Sequence, residues 1–326
     1  MKLSIVIPFM NPDKQHFSEM LTGIATANFA LFTDVEVILI NDGSQQNYQQ
    51  EIAHFSKVIH PLCIHIIELP CNRGVSYARN IGMAAAQGDY IALHDADDIS
   101  LPERFALCAQ FLNEHPEVIA VGGDMLVFNE FRKETSLRLF PIHHHDICVD
   151  NLFYCAMAQP AMMINRALWQ ASGIQYTDKM DMAQDWDLVI RLSQHGQLAN
   201  MGMPLVRYRQ HLKQRSAEIN GEFANIHVRG IWEKQLNHLG ANINPKLLQV
   251  HGHLSPYWLW QLSDISQAWA LDADDVSHWA KEILHQNQSS QYVSTAILAQ
   301  KIDRLQRHWH AWKASGNPNT QIQFLL

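Results

Sequence analysis

The chain has 326 residues, 47% of them hydrophobic and only 17% charged, with a formal net charge of -8 and a pI near 6.1. This length builds one large domain, with or without a smaller appendage. The sparse, net-acidic charge excludes a global electrostatic grip on nucleic acid or an anionic membrane near neutrality, and the nineteen histidines shift that balance only in mild acid.

Met1-Lys2-Leu3-Ser4-Ile5-Val6-Ile7-Pro8 carries one cation and a short apolar run. It lacks the long apolar core and small-residue cleavage site of a secretory leader, so residues 3–7 read as a buried strand. Residues 15–31 follow with helical character, 35–40 are a second strand and 46–57 a polar helix. Residues 62–69 are a third strand, 76–87 a helix and 90–93 a fourth strand. Apolar strands alternating with helices predict a parallel sheet covered on both faces. Ser100-Leu101-Pro102-Glu103 has the form of a capping box with proline in the first turn, opening another helix. Strands are then expected near 118–128 and 160–164, a helix near 183–194 and a strand near 198–208. Past residue 219 the pattern changes. Trp232, Leu236 and Leu239, then Trp258, Trp260 and Leu262, then Trp269, Trp279 and Ile283 predict packed helices, which divides the chain into 1–218 and 219–326. No apolar run reaches the ~18 residues of a membrane span. Cys63, Cys71, Cys108, Cys148 and Cys155 are odd in number and show no CxxC spacing, the pattern of free thiols in a reducing cytoplasm.

In a parallel sheet, ligands sit beyond the carboxyl ends of the strands. The loops there are Pro8-Phe9-Met10-Asn11, Asn41-Asp42-Gly43-Ser44, Pro70-Cys71-Asn72-Arg73-Gly74 and His94-Asp95-Ala96-Asp97-Asp98. Three carboxylates in four residues repel one another unless neutralised. Oxygen ligands of this kind suit magnesium or manganese bridging to substrate phosphates. The competing reading is a solvated turn, but Ser100 already fills the helix-capping role. Asp42-Gly43 is a turn pair whose carboxylate could also meet a base or ribose. Ser76 can cap the next helix, and Arg73 or Arg79 can approach a diphosphate there, unless Arg79 pairs with a surface carboxylate and Asn80 braces a neighbouring loop. Asp185 opens a helix, where a carboxylate is favoured structurally or can serve as a general base. Asp187 lies about 200° around that helix, toward solvent or Arg191. The basic stretch from Arg207 to Ser216 is either an exposed edge or a flap over phosphates, with His211 as a nitrogen ligand.

Taken in order, Val6-Ile7-Pro8-Phe9-Met10-Asn11, Asn41-Asp42-Gly43-Ser44, Asn72-Arg73-Gly74 with Ala78-Arg79-Asn80, Gly88-Asp89-Tyr90-Ile91 and Asp95-Ala96-Asp97-Asp98 resemble the family 2 glycosyltransferases. The likeness continues through Gln159-Pro160-Ala161-Met162-Met163, Gln184-Asp185-Trp186-Asp187 and Arg209-Gln210-His211 with Gln214 and Ser216. It covers about the first two-thirds of the chain. The resemblance implies an α/β, GT-A-type, Rossmann-like, mostly parallel sheet flanked by helices, with residues 1–218 catalytic and 219–326 an α-helical C-terminal region. It implies a nucleoside-diphosphate sugar donor, a UDP-sugar first among them, a divalent cation (manganese or magnesium) and inverting transfer to the hydroxyl of a saccharide or glycolipid. Pro8, Phe9 and Asp42 match nucleobase positions, Asp95 the ribose, Asp97 the metal, His211 a metal or diphosphate contact and Asp185 the base. Asn11, Gly74, Arg79 and Ala96 complete the donor-binding set. Gln184, in place of an acidic residue, and Gln159, in place of histidine, depart from the pattern; both bear on acceptor recognition and leave the metal ligands and base in place. The expected setting is bacterial surface polysaccharide or glycolipid synthesis in the cytoplasm, with peripheral contact at the inner membrane face left open and no nucleic-acid partner. The rivals are a metal-dependent nucleotidyltransferase, which would carry a glycine-rich first loop, and a non-catalytic carbohydrate-binding protein.

Overall fold

The structure is a computed structural model describing residues 1–58, 63–129, 134–180, 182–211, 221–255 and 269–316. It divides into two compact units, Met1–His144 with Met157–Ala217, and His145–Ala156 with Glu218–Leu326. The stretch His145–Ala156 therefore belongs with the C-terminal helices and not with the residues that flank it.

In chain order the first unit contains β1 (Lys2–Phe9), α1 (Lys14–Ala25), β2 (Asp34–Asn41), α2 (Gln49–Val58), β3 (Cys63–Glu68), α3 (Val75–Ala85), β4 (Tyr90–Leu93), β5 (Ile99–Ser100), α4 (Arg104–Glu114), β6 (Val118–Asn129) and β7 (Glu134–Arg138). The chain then forms α5 (His144–Asp150) and returns through a 3₁₀ turn at Gln159–Ala161 to β8 (Met163–Asn165), α6 (Arg166–Ser172), α7 (Gln184–Leu192) and β9 (Gln197–Gln210). One sheet runs β3-β2-β1-β4-β8-β6-β9-β5, with β7 on β6. The first four strands are parallel; β8 then runs antiparallel to both β4 and β6, and β9 lies parallel to β6.

β1 is buried from Leu3 onward, apolar but for Ser4, as a central parallel strand requires. Asp13 caps α1 by accepting from the amides of Gln15 and His16. The helix buries Phe17, Met20, Leu21 and Ile24, one stripe at helical spacing, against Leu3, Ile5, Ile7 and Leu39. α3 covers the opposite face of β1 and β2. Backbone bonds from Asp42 to Phe9 (2.9 Å), from Leu69 to Asn41 (2.9 Å) and from His94 to Val6 (3.1 Å) hold the loops at the strand ends side by side.

Two expected caps are different in the structure. Ser100 does not cap α4, which begins at Arg104 after Glu103. Pairing of residues 99–100 with β9, and the bond from the Leu101 amide to Leu205, draw Ser100 into the sheet. Ser76 does not cap α3 either; Gly74 occupies that position, and the Ser76 hydroxyl donates to the Met180 carbonyl at 3.1 Å.

The second unit contains α8 (Gly221–Leu239), α9 (Pro245–Leu254), α10 (Ala273–Ser290) and α11 (Thr295–Ala314). Trp258, Trp260 and Leu262, expected among these helices, lie outside the described residues. Asp272 and Asp275 form a reciprocal capping box on α10. The buried side chains include Trp232, Trp279, Ile283, Leu298 and Ile302 together with Ile147, Leu152 and Phe153. Lys301 meets Asp150 at 2.8 Å.

His251 is fully buried here, its Nε2 bonded to the Leu152 carbonyl (2.9 Å) and its Nδ1 facing the Trp279 indole N–H (3.3 Å). A donor at one nitrogen and an acceptor at the other is the neutral ring. Burial lowers its pKa to about 4, against the bond to Leu152. The unfolded chain takes up this proton near pH 6.5 and the folded one only near 4, so the stability is whole above that window and falls as pH drops through it. The expected loss is about 2–3 kcal/mol by about pH 4.5. Tryptophan-monitored unfolding across this range should show that slope, and His251→Phe should flatten it; an unchanged slope in the variant would remove His251 as its source.

Candidate active site

The four loops at the strand ends do converge, and the structure gives each acidic residue a different environment. Asp95 accepts from Arg79 Nη2 at 2.7 Å and from Gln159 Nε2 at 3.2 Å. Arg79 projects from α3 and is 4% exposed, and its guanidinium lies over the Tyr176 ring at 5.4 Å. Its Nε and Nη1 are buried with no protein partner, an arrangement that leaves donors for a further acceptor. Tyr176 donates to Gln159 Oε1 at 3.3 Å, and both backbone groups of Tyr176 are held by the Asn80 amide at 2.9 and 2.8 Å. Asn80 thus braces the loop before α7, one of the two readings its position allowed.

Asp97 carries the other half of the site. Its Oδ2 accepts from His211 Nε2 at 2.9 Å, joining β4's loop to the end of β9. Asp98 is 1% exposed and accepts from the Arg209 amide at 2.8 Å, while Arg209 Nε donates to the Asp97 carbonyl at 2.8 Å and Nη2 reaches Glu19 at 2.5 Å. The aspartates therefore do have structural partners, contrary to the inference drawn from a filled helix cap. Arg209 is buried, so this part of the basic stretch is a tether for the acidic loop and not an exposed edge; residues 212–216 lie outside the described residues.

Electrostatics follow from this crowding. Burial pushes the Asp95 carboxyl up, with Asp97 and Asp185 adding to it and Arg79 opposing. Burial, then Asp97 and Asp95, hold Asp98 well above the usual carboxylate range. Burial opposes the Arg79 charge, but Asp95, Tyr176 and Asp185 raise its pKa on balance. His94 is brought down to about 3 by burial and by Arg104. It bonds the Asp95 carbonyl at 2.7 Å and Ser100 Oγ at 2.9 Å.

Asp185 sits in the first turn of α7, behind Ala183 in a left-handed conformation (φ 56°), and its Oδ1 accepts from the Trp186 amide at 2.9 Å. From this different element its charge acts on both Arg79 and Asp95. Asp187 faces away and is buried against Arg191 (2.6 Å) and Thr177 (2.7 Å).

In the loop after β2, Asp42 accepts from the amides of Arg73 (2.7 Å) and Gly74 (3.0 Å), so it latches two loops together. Gly74 holds φ 90°, a conformation that favours glycine at the entry to α3. The Asn11 (φ 45°) side-chain oxygen accepts from the amides of Gln45 and Gln46, and the Asn11 backbone amide donates to Ser44 Oγ. The Phe9 ring packs in the core on Phe17 and Tyr48, with centroids 5.1 and 5.4 Å away. Pro8 is buried in β1, and Ala96 is half-buried against the core.

The donor set at Asp97 and His211 fits a hard divalent cation. Adjacent ligands of an octahedral ion at about 2.1 Å stand about 3 Å apart, close to the observed 2.9 Å between Asp97 Oδ2 and His211 Nε2. Among the described residues no group of three or more His, Cys, Asp or Glu side chains gathers for a metal, so the remaining positions would fall to diphosphate oxygens and water.

Residues 4–170 match the model of glycosyl transferase family 2, which is half of the chain. This chain belongs to that family. An uncharacterized glycosyltransferase of Haemophilus influenzae is 27% identical to it over 228 residues, covering 68% of this chain and 69% of that one. The amylovoran biosynthesis glycosyltransferase AmsE of Erwinia amylovora is 34% identical over 112 residues, covering 34% and 41%. Among solved structures, residues 1-349 of S. aureus TarS in complex with UDP-GlcNAc align with a TM-score of 0.58 at 17% identity, over 98% of this chain and 89% of that one. The mannosyltransferase PcManGT of Pyrobaculum calidifontis, in complex with GDP-Man and Mn2+, aligns at 0.56 and 14% identity, over 97% and 87%. The fold of this glycosyltransferase is therefore GT-A-type.

Several residues that shape the transferase's site were not singled out from the sequence. Arg104 is fully buried and donates to Leu93 O (2.6 Å), Ser100 Oγ (2.9 Å) and Met162 O (3.3 Å). Tyr176 and Glu19 complete the shells around Arg79 and Arg209. Their signal is three-dimensional, because each meets partners far away in the chain.

Proposed function

We propose that this glycosyltransferase moves a sugar from a nucleoside-diphosphate sugar to an acceptor hydroxyl with inversion at the anomeric carbon. The observation that carries the reading is the division of labour in the site. Asp97 and His211 form a cation-ready pair, while the charge of Asp185, at the start of α7, acts on Arg79 and Asp95.

Asp185 takes the proton of the acceptor hydroxyl as that oxygen attacks from the face opposite the diphosphate. Arg79, with two unpartnered donors, and Asp95 hold the donor between them. Gln159 and Tyr176 keep Asp95 in place. Asp97 and His211 would hold a manganese or magnesium ion, which supplies charge neutralisation at the leaving diphosphate. Gln184, beside the base, has its Oε1 buried without a protein partner and faces the choice of acceptor. UDP-GlcNAc and GDP-Man in the structural relatives support a nucleotide-sugar donor, a UDP-sugar foremost. The amylovoran enzyme supports a place in surface polysaccharide synthesis, with a saccharide or glycolipid acceptor.

A thermal-shift screen of nucleotide sugars with and without manganese tests the donor, since a ligand that binds only the folded state raises its melting temperature. Asp97→Ala should weaken manganese-dependent donor binding by about tenfold or more; unchanged affinity would remove Asp97 from the metal. Released nucleoside diphosphate is the expected product, whereas pyrophosphate would indicate nucleotidyl transfer.

A further inference from the structure

His16 and Glu19 lie three residues apart on one face of α1. Arg209 and His211 lie two residues apart at the carboxyl end of β9. The two pairs meet. Glu19 Oε2 accepts from Arg209 Nη2 at 2.5 Å, and the His16 ring lies against the His211 ring with centroids 5.1 Å apart at 56°. Arg209 and His211 in turn hold the backbone and the carboxylate of Asp97. We infer that His16 is a positioning residue: its ring packs on the His211 imidazole and keeps Nε2 aimed at Asp97, while Glu19 holds the neighbouring Arg209 in register. The inference rests on the proposed role of the Asp97–His211 pair.

The backbone of His16 is well anchored, since its amide donates to the capping Asp13 at 3.2 Å. The residue itself is only half-buried, in the first turn of α1, so its side chain can be changed without opening the core. His211 has no such anchor in regular structure, because β9 ends at Gln210. A ring at the end of a strand keeps its rotamer only through what it touches. The His211 side chain touches the Asp97 carboxylate and the His16 ring. Outer contacts of this kind, which orient a ligand without touching the metal, are worth about tenfold or more in metal affinity.

The test uses the full chain with ¹⁵N-labelled histidine, the His211 signal being assigned by its loss in His211→Gln, and a manganese titration read by electron paramagnetic resonance. In His16→Ala the His211 Nε2 signal should leave its hydrogen-bonded position and manganese binding should weaken about tenfold. His16→Phe, which keeps a ring and removes both nitrogens, should restore the two. A His211 signal unchanged in His16→Ala would overturn the inference, as would failure of His16→Phe to restore it. A wild-type protein that binds no manganese would count against the proposed metal site alone, because the His211 signal still reports on His16.

Discussion

Replacing Asp185 by asparagine is expected to lower kcat by about a thousandfold while leaving donor affinity within about twofold of wild type. A positioned general base contributes about 10²–10⁴ in rate, and the amide keeps the shape of the side chain while losing its ability to take a proton. The structure supports the split between rate and binding. Asp185 comes from the first turn of α7, whereas the proposed donor contacts come from α3, the β4 loop and the end of β9. Donor binding by calorimetry and turnover by nucleoside-diphosphate release measure the two separately. Transfer within tenfold of wild type in Asp185→Asn would leave Asp185 without a catalytic role and shift attention to another carboxylate.

The largest stability effect is expected at Arg104. Its guanidinium is buried at 0% exposure, and its burial brings the pKa down to about 10. Substitution by methionine keeps much of the stem but takes the charged donor from the Leu93 carbonyl and leaves the Met162 carbonyl and the Ser100 hydroxyl with only the Leu93 amide and His94. Hydrogen bonds to a charged donor contribute about 1.5–3 kcal/mol each, and their losses do not add fully. A loss of about 3–5 kcal/mol follows, which at about 2–4 °C per kcal/mol lowers the melting temperature by roughly 10 °C. A melting temperature within about 2 °C of wild type would show that the site closes over the missing charge.

These two residues differ in how they could be found. Asp185 is visible because a carboxylate before an amphipathic helix stands out at a local level, and because the ordered motifs around it resemble a known family. Arg104 reads locally as one more charge at the start of a helix. Its partners lie on β4, β5 and before β8, so nothing within a helical turn marks it as buried. Arg209 is the same case: the stretch around it looks like a basic surface, but Phe128 lies under its guanidinium at 4.6 Å and Glu19 closes the other side. The misplaced caps share a cause. Ser76 and Ser100 have the right side chains at the right spacing, and distant backbone groups on Met180 and β9 compete for them and win.

The strands β1, β2 and β4, the helices between them and the four loops at their carboxyl ends were legible in the residues, because a strand buried on both faces must be mostly apolar. So was the order of motifs that marks the family. How the acidic cluster divides follows from contacts between elements distant in the chain. Asp95 goes to Arg79, Asp97 to His211 and Asp98 to the Arg209 backbone. Identical side chains within four residues cannot be told apart by type or spacing. What separates them is the set of charges and donors brought beside each one by elements that are distant in the chain.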